Sequence, residues 1–230
     1  MAAVRVAAAV RSALLALAAA LAPVPGAAAP FGVQIGDTRL GLDAPPGFSD
    51  TGFTGSPRLQ ELAESLTSAS NKVLLFALTD ADLRRFMQGD QPEAKRYTVA
   101  VTPRGLEFQR VTPAVFSSFV LDSLRGLGTP PAAGADYRKL LDAQPGKLML
   151  LAELRRDADV VSVLQGVRLP TQPRYGEKPQ YGLTTTTLLL LRGKPLNLGV
   201  YGGYDGDADL DWIRTTTARW VEELQRLNGR

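Results

Sequence analysis

The sequence predicts an α+β class: a mainly antiparallel sheet with helices packed on it and a long helix at the C-terminal end. Three observations predict it. Strand patterns at 148–154, 160–169, 184–191 and 196–201 succeed one another without intervening helices, which argues against a parallel, doubly wound sheet. Two segments open with a capping residue followed by proline, Ser56-Pro57 and Thr112-Pro113. Over 209–228, Ile213, Trp220, Val221, Leu224 and Leu227 fall on one helical stripe.

Phe31 to Leu42 alternates around Gly36-Asp37 and reads as a hairpin, stopped by Pro45-Pro46-Gly47. Leu59, Leu62, Ala63 and Leu66 form the apolar face of a first helix. Lys72 to Leu78 is a continuous apolar run of strand length. Thr79-Asp80-Ala81-Asp82 matches a capping box, with Leu83 and Phe86 anchoring a short helix. Arg96 to Val101 alternates as a strand, Pro103-Arg104-Gly105 turns the chain, and Leu106 and Phe108 continue on a second strand. Phe116, Phe119, Val120 and Leu124 line a helix that Gly126 ends. Residues 126–136 read as a loop, 137–141 as a helical turn or two, and 170–181 as a long proline-punctuated loop.

Composition removes whole chemistries. The 230 residues include no His and no Cys. A Ser-His-Asp triad, a Cys-His dyad, a disulfide framework and thiolate or imidazole zinc sites are thereby excluded. Arg5 and Arg11, an apolar run over 12–22 and the small residues Ala27, Ala28 and Ala29 have the three-part form of a secretory signal peptide. The expected organisation is a signal peptide at 1–28 and a single α+β domain at 29–230, exported to a periplasm or secreted. The apolar run is shorter than the roughly 20 residues that span a bilayer, and no transmembrane segment is expected in the mature chain. Removing two Arg leaves 24 basic against 23 acidic residues, a net charge of +1 in place of +3. The basic residues are scattered pairs, so no nucleic-acid partner is expected.

The hairpin leading into Asp-Ala-Pro-Pro-Gly-Phe at 43–48, the Leu-Leu-Leu-Leu-Arg-Gly-Lys turn at 188–194 and the Trp/Leu helix after it resemble the PsbP-like α+β sandwich. Asn71-Lys-Val-Leu-Leu-Phe-Ala-Leu-Thr-Asp-Ala-Asp-Leu83 resembles uncharacterised exported bacterial proteins. The resemblance implies a binding or assembly-accessory role and brings no catalytic signature.

Asp205, Asp207, Asp209 and Asp211 alternate before the last helix, as oxygen ligands of a calcium loop do. Leu210 and Thr216 stand where such a loop needs Gly and a bidentate Glu, which favours instead a helix N-terminus with one Asp as its N-cap and the others as charge on the positive end of the dipole. Arg174, Tyr175, Lys178 and Tyr181 on the long loop, and Trp212 on the last helix, are candidate ligand or partner contacts. No Ser-x-x-Lys dyad, Gly-x-Ser-x-Gly elbow or Walker loop occurs. The expected function is an exported, non-catalytic binding or assembly-accessory protein with an unknown protein or envelope partner. No cofactor is expected, Ca²⁺ excepted. A calcium module on the Asp loop is one alternative, and a carboxylate-dependent hydrolase the other.

Overall fold

The computed structural model describes residues 30–132, 134–170 and 178–229. The predicted signal segment 1–28, and Arg174 and Tyr175 of the long loop, lie outside them. The fold is α+β, as the sequence predicts. Strands β1 (Phe31–Ile35) and β2 (Thr38–Leu42) form a separate two-stranded hairpin. Seven further strands form the main sheet: β3 (Phe48–Asp50), β4 (Asn71–Thr79), β5 (Tyr97–Pro103), β6 (Met149–Arg156), β7 (Val160–Arg168), β8 (Tyr181–Leu191) and β9 (Lys194–Gly203). Their order is β3-β4-β5-β9-β8-β7-β6, and every neighbouring pair is antiparallel. The helices are α1 (Pro57–Ser65), α2 (Asp80–Met87), α3 (Pro113–Leu124), α4 (Tyr137–Ala143) and α5 (Asp207–Leu227).

Strand parity divides the core. One face presents Leu75, Ala77, Ala100, Leu183, Leu189, Leu198 and Val200 to Ile213, Trp220 and Leu224 of α5 and to Leu40 and Leu42 of the hairpin. Among the described residues, the other face carries helices only at its two flanks. Leu59 and Ala63 of α1 and Leu83 of α2 cover Phe76, Leu78, Val99 and Val101 on β4 and β5. Phe116 and Val120 of α3 cover Val161, Leu188 and Leu190 on β7 and β8. Among the described residues, the middle of this second face is left without a helix.

Local signals work as the residue types dictate at several ends. The Thr79 hydroxyl accepts from the Asp82 N–H at 3.1 Å, and the Thr112 hydroxyl accepts from Val115. Gly126 takes φ 88° just past α3. Arg192 and Gly193 both have positive φ, the pairing a two-residue hairpin turn demands, and Arg192 is held there by the carbonyls of Asn228 and Arg39.

Three expectations are corrected. Leu106 and Phe108 do not continue a strand; Arg104–Leu106 is a turn of 3-10 helix. The reason is tertiary. Lys194, only 1% exposed, reaches across from the β8–β9 turn to the carbonyls of Glu107 and Gln109, both at 3.0 Å, and to the Asp37 carboxylate at 2.9 Å. Glu107 also pairs with Lys72. These contacts fold the segment over the turn and leave Phe108 exposed. Ser56 makes no side-chain cap; Pro57 alone sets the start of α1. At α5 the residue ahead of the helix is Gly206, not an aspartate.

Candidate functional site

The uncovered middle of the second face is a groove of about 1150 Å³. Its floor follows from register. Tyr97 on β5 lies opposite Tyr201 on β9, Tyr201 opposite Thr184 on β8, and Thr184 opposite Gln165 on β7. Alternation brings Thr186 to the same face, and its hydroxyl donates to Gln165 Oε1 at 2.9 Å. The Tyr97 and Tyr201 rings stack at 4.5 Å and 10°. Phe76 meets the Tyr97 edge at 6.1 Å and 63°. Gly199 makes this geometry possible, since a Cβ there would lie 2.6 Å from Tyr201 Cε2.

Gly199→Ala should therefore cost about 1–3 kcal/mol, the usual range for overpacking, by pushing the Tyr201 ring off the strand. In a Tyr201→Ala background the same substitution should cost close to nothing. A double-mutant cycle in urea checks this, and additive effects would show that the ring is not the obstacle.

Electrostatics set the character of the floor and rim. Burial pushes the Tyr97 phenol up to about 12. Burial also raises Tyr201, the Thr184 hydroxyl working against it. Both phenols are neutral donors near pH 7. For a tyrosine held neutral by folding, the associated stability is complete below the unfolded value of about 10 and is lost as pH rises towards about 12. Alkaline titration by tyrosinate absorbance should show Tyr97 and Tyr201 ionising only with unfolding. Tyr97→Phe should hold its stability further into that window, and a late step unaltered by Tyr97→Phe would contradict the assignment.

The rim is ionic. Glu93 bridges Arg85 at 2.8 Å and Lys95 at 2.6 Å, and these cations bring its carboxyl down to about 2. Arg96 pairs with Asp209 at 2.8 Å and lies 4.0 Å over the Trp212 ring. The Tyr181 hydroxyl donates to Asp142 at 2.8 Å, and Arg138 lies over the rings of Tyr181 and Tyr204.

The predicted site residues divide. Lys178, Tyr181, Asp205 and Asp209 line this groove. Trp212 does not; it packs against Phe48 and Gly202, beneath Arg96. The four aspartates do not converge. Asp209 accepts from the Asp205 N–H at 2.8 Å and pairs with Arg96, Asp207 sits in the first turn of α5, and Asp211 is exposed. The Asp205 carbonyl accepts from Arg138. Among the described residues no group of three or more acidic side chains is placed to hold a metal ion. Sequence reasoning missed Tyr97, Tyr201, Thr184, Thr186 and Gln165. One signal was available: Thr184-Thr-Thr-Thr187 places hydroxyls on both faces of a central strand; Thr185 and Thr187 find partners in Thr217 and Ser162 on the covered face, and Thr184 and Thr186 open onto the groove.

No protein-family model matches the chain, and no curated protein matches it. Among solved structures it is similar to the Saccharomyces cerevisiae Ran-binding protein Mog1p, at 11% identity over 87% of this chain and 93% of that one, with a TM-score of 0.34. A point mutant of Mog1 matches at 12% identity over the same shares, with a TM-score of 0.35. Neither of these matches is a PsbP-like or an exported bacterial protein, which corrects that resemblance. They likewise correct the exported, periplasmic-type binding or assembly role, its calcium and hydrolase alternatives, and the exported location. Likeness at this level assigns neither a partner nor a residue to this chain. Among the described residues no helix is long and apolar enough to cross a membrane.

Proposed function

We propose that this chain is a non-catalytic protein-binding module whose docking surface is the tyrosine groove. The observation that supports it is a sheet face left without a helix and floored by Tyr97, Tyr201, Thr184, Thr186 and Gln165. Tyrosines with hydroxyl and amide neighbours give large rigid contact area together with adaptable hydrogen bonding, the chemistry of protein-recognition surfaces. At about 1150 Å³ the groove exceeds the roughly 300–1,000 Å³ of small-molecule pockets. Its phenols are neutral donors, and of its four lining carboxylates Glu93 and Asp209 are held in ion pairs and Asp82 accepts from the Glu93 N–H, so its groups serve recognition better than proton transfer.

Photo-crosslinking tests the reading. A photoreactive residue in place of Thr186 should give a discrete protein adduct in native extract. The same residue in place of Arg219, exposed on α5, should give none, and Tyr201→Asp should abolish the Thr186 adduct. Identical adducts from both positions, or none from Thr186, would refute it.

A further inference from the structure

We infer that a second, separate site on this protein takes up one extended polypeptide strand along the outer edge of β4. The strand β3 pairs with β4 only through Phe48, Ser49 and Asp50, which lie opposite Thr79, Leu78 and Ala77. Among the described residues β4 runs on from Leu75 back to Asn71 with β5 on its inner side, a bulge between Val73 and Leu75 and no strand on its outer side, and the Asn71 N–H donates to the Ser68 carbonyl at 2.9 Å. The point where β3 leaves is sealed from within. The Thr51 N–H and hydroxyl both donate to the Phe76 carbonyl, at 2.8 and 2.9 Å, and the Asp50 carboxylate accepts from the Phe76 N–H. Beyond that seal, Asn71, Lys72, Val73 and Leu74 are only half-buried.

This edge is not simply bare. After Asp50 the chain turns away through Gly52–Thr54, runs along α1 and returns through 66–70, so that α1 stands as a wall facing the open edge. The slot between them has a volume of about 680 Å³. All six residues from Asn71 to Phe76 line it on one side, and Gln60, Ala63, Glu64 and Thr67 line it on the other. Six consecutive residues can line one cleft only if the backbone itself is presented. An unpaired strand edge accepts another strand through main-chain hydrogen bonds. The wall of α1 admits a single chain and keeps out the edge of a whole sheet, which is the control most exposed edges obtain from charge or proline.

Dimensions and charge specify the occupant. The open stretch from Asn71 to Leu75 is about 13 Å long at ~3.3 Å per residue, so a segment of about five residues fills it. Its charged lining cancels: Asp50 and Glu64 against Lys72 and Arg104. Val73 and Leu74, both half-buried, supply the apolar contacts. The occupant is therefore an uncharged partner segment in extended form, with small or apolar side chains at alternate positions.

The test uses the chain covering 1–230. Linear displayed peptides of about seven residues, long enough to overrun the open edge at both ends, are selected against it. An enriched sequence is then synthesised with each backbone amide N-methylated in turn. Strand addition predicts a periodic result: methylation at every second residue weakens binding about tenfold or more, and methylation between costs little. Gln60→Trp, on the exposed side of α1, should block the slot and weaken binding at least about tenfold while leaving the fold intact by circular dichroism. Thr186→Trp, which fills the tyrosine groove, should leave it unchanged. Loss through Thr186→Trp with Gln60→Trp silent would overturn the slot and support the groove. Failure to enrich any peptide, or N-methylation without period two, would also overturn the slot.

Discussion

Trp220→Ala should lower the unfolding free energy by about 3–5 kcal/mol, the range for truncating a buried tryptophan. Trp220 has no exposed surface and stands in the core among Ile213, Val221 and Leu224, facing the inner side of the sheet. Its Nε1 also donates to the Asp43 carbonyl at 2.7 Å, tying α5 to the segment between the hairpin and β3. The two contributions separate by substitution. Trp220→Phe keeps most of the apolar volume but strands the Asp43 carbonyl, and should cost about 1–3 kcal/mol. Urea melts of the two variants measure both terms. Equal losses would mean that the hydrogen bond carries the effect and the cavity none of it.

Lys194→Met should cost about 3 kcal/mol. The substitution leaves the carbonyls of Glu107 and Gln109 without their charged donor, and an unmet buried acceptor costs about 1–3 kcal/mol. The Asp37 end of the network behaves differently. Asp37 is 84% exposed, and its hydrogen bond to Lys194 holds its carboxyl below the usual range. That bond works through water-screened charge, so Asp37→Asn should matter little in added salt. A lowered acid value contributes stability above its unfolded value, and this is lost as pH falls through the folded one. Acid melts of the Asp37→Asn variant should therefore converge on those of the parent chain at low pH. An unchanged midpoint for Lys194→Met would show that water serves the same oxygens.

What could be read from the sequence was local and periodic. The Thr79 and Thr112 caps, the Gly126 stop, the stripe on α5 and the run of antiparallel strands depend on neighbours a few residues away, and each stands where the pattern put it. The Leu106–Phe108 segment went wrong because a lysine some 87 residues later decides its path. The tyrosine groove was illegible for a related reason. Tyr97 and Tyr201 come from strands far apart in sequence, and the insertion of β9 beside β5 brings them together. Of the predicted contacts, Lys178 and Tyr181 reach the groove rim because the long loop ends at β8. The alternating aspartates suggested a shared ligand, yet helical geometry points successive alternate side chains in different directions.

The clamp at the end of α5 bears on how the chain is made. Asn228 Oδ1 accepts from the Gly41 N–H at 3.0 Å, and Nδ2 donates to the Gly41 carbonyl at 2.9 Å, across 187 residues. The hairpin β1–β2 belongs to no other sheet and buries Leu40 and Leu42 against the core that α5 completes. During synthesis it emerges ahead of the other elements described here and finds its seat last. At about 5–20 residues per second, the wait for Asn228 is roughly 10–40 s. Through that interval an isolated two-strand ribbon is marginal in water. Its apolar side is thus available to whatever receives a nascent chain, and docking on the final helix turn is a closing step in maturation, after the seven-stranded sheet has assembled.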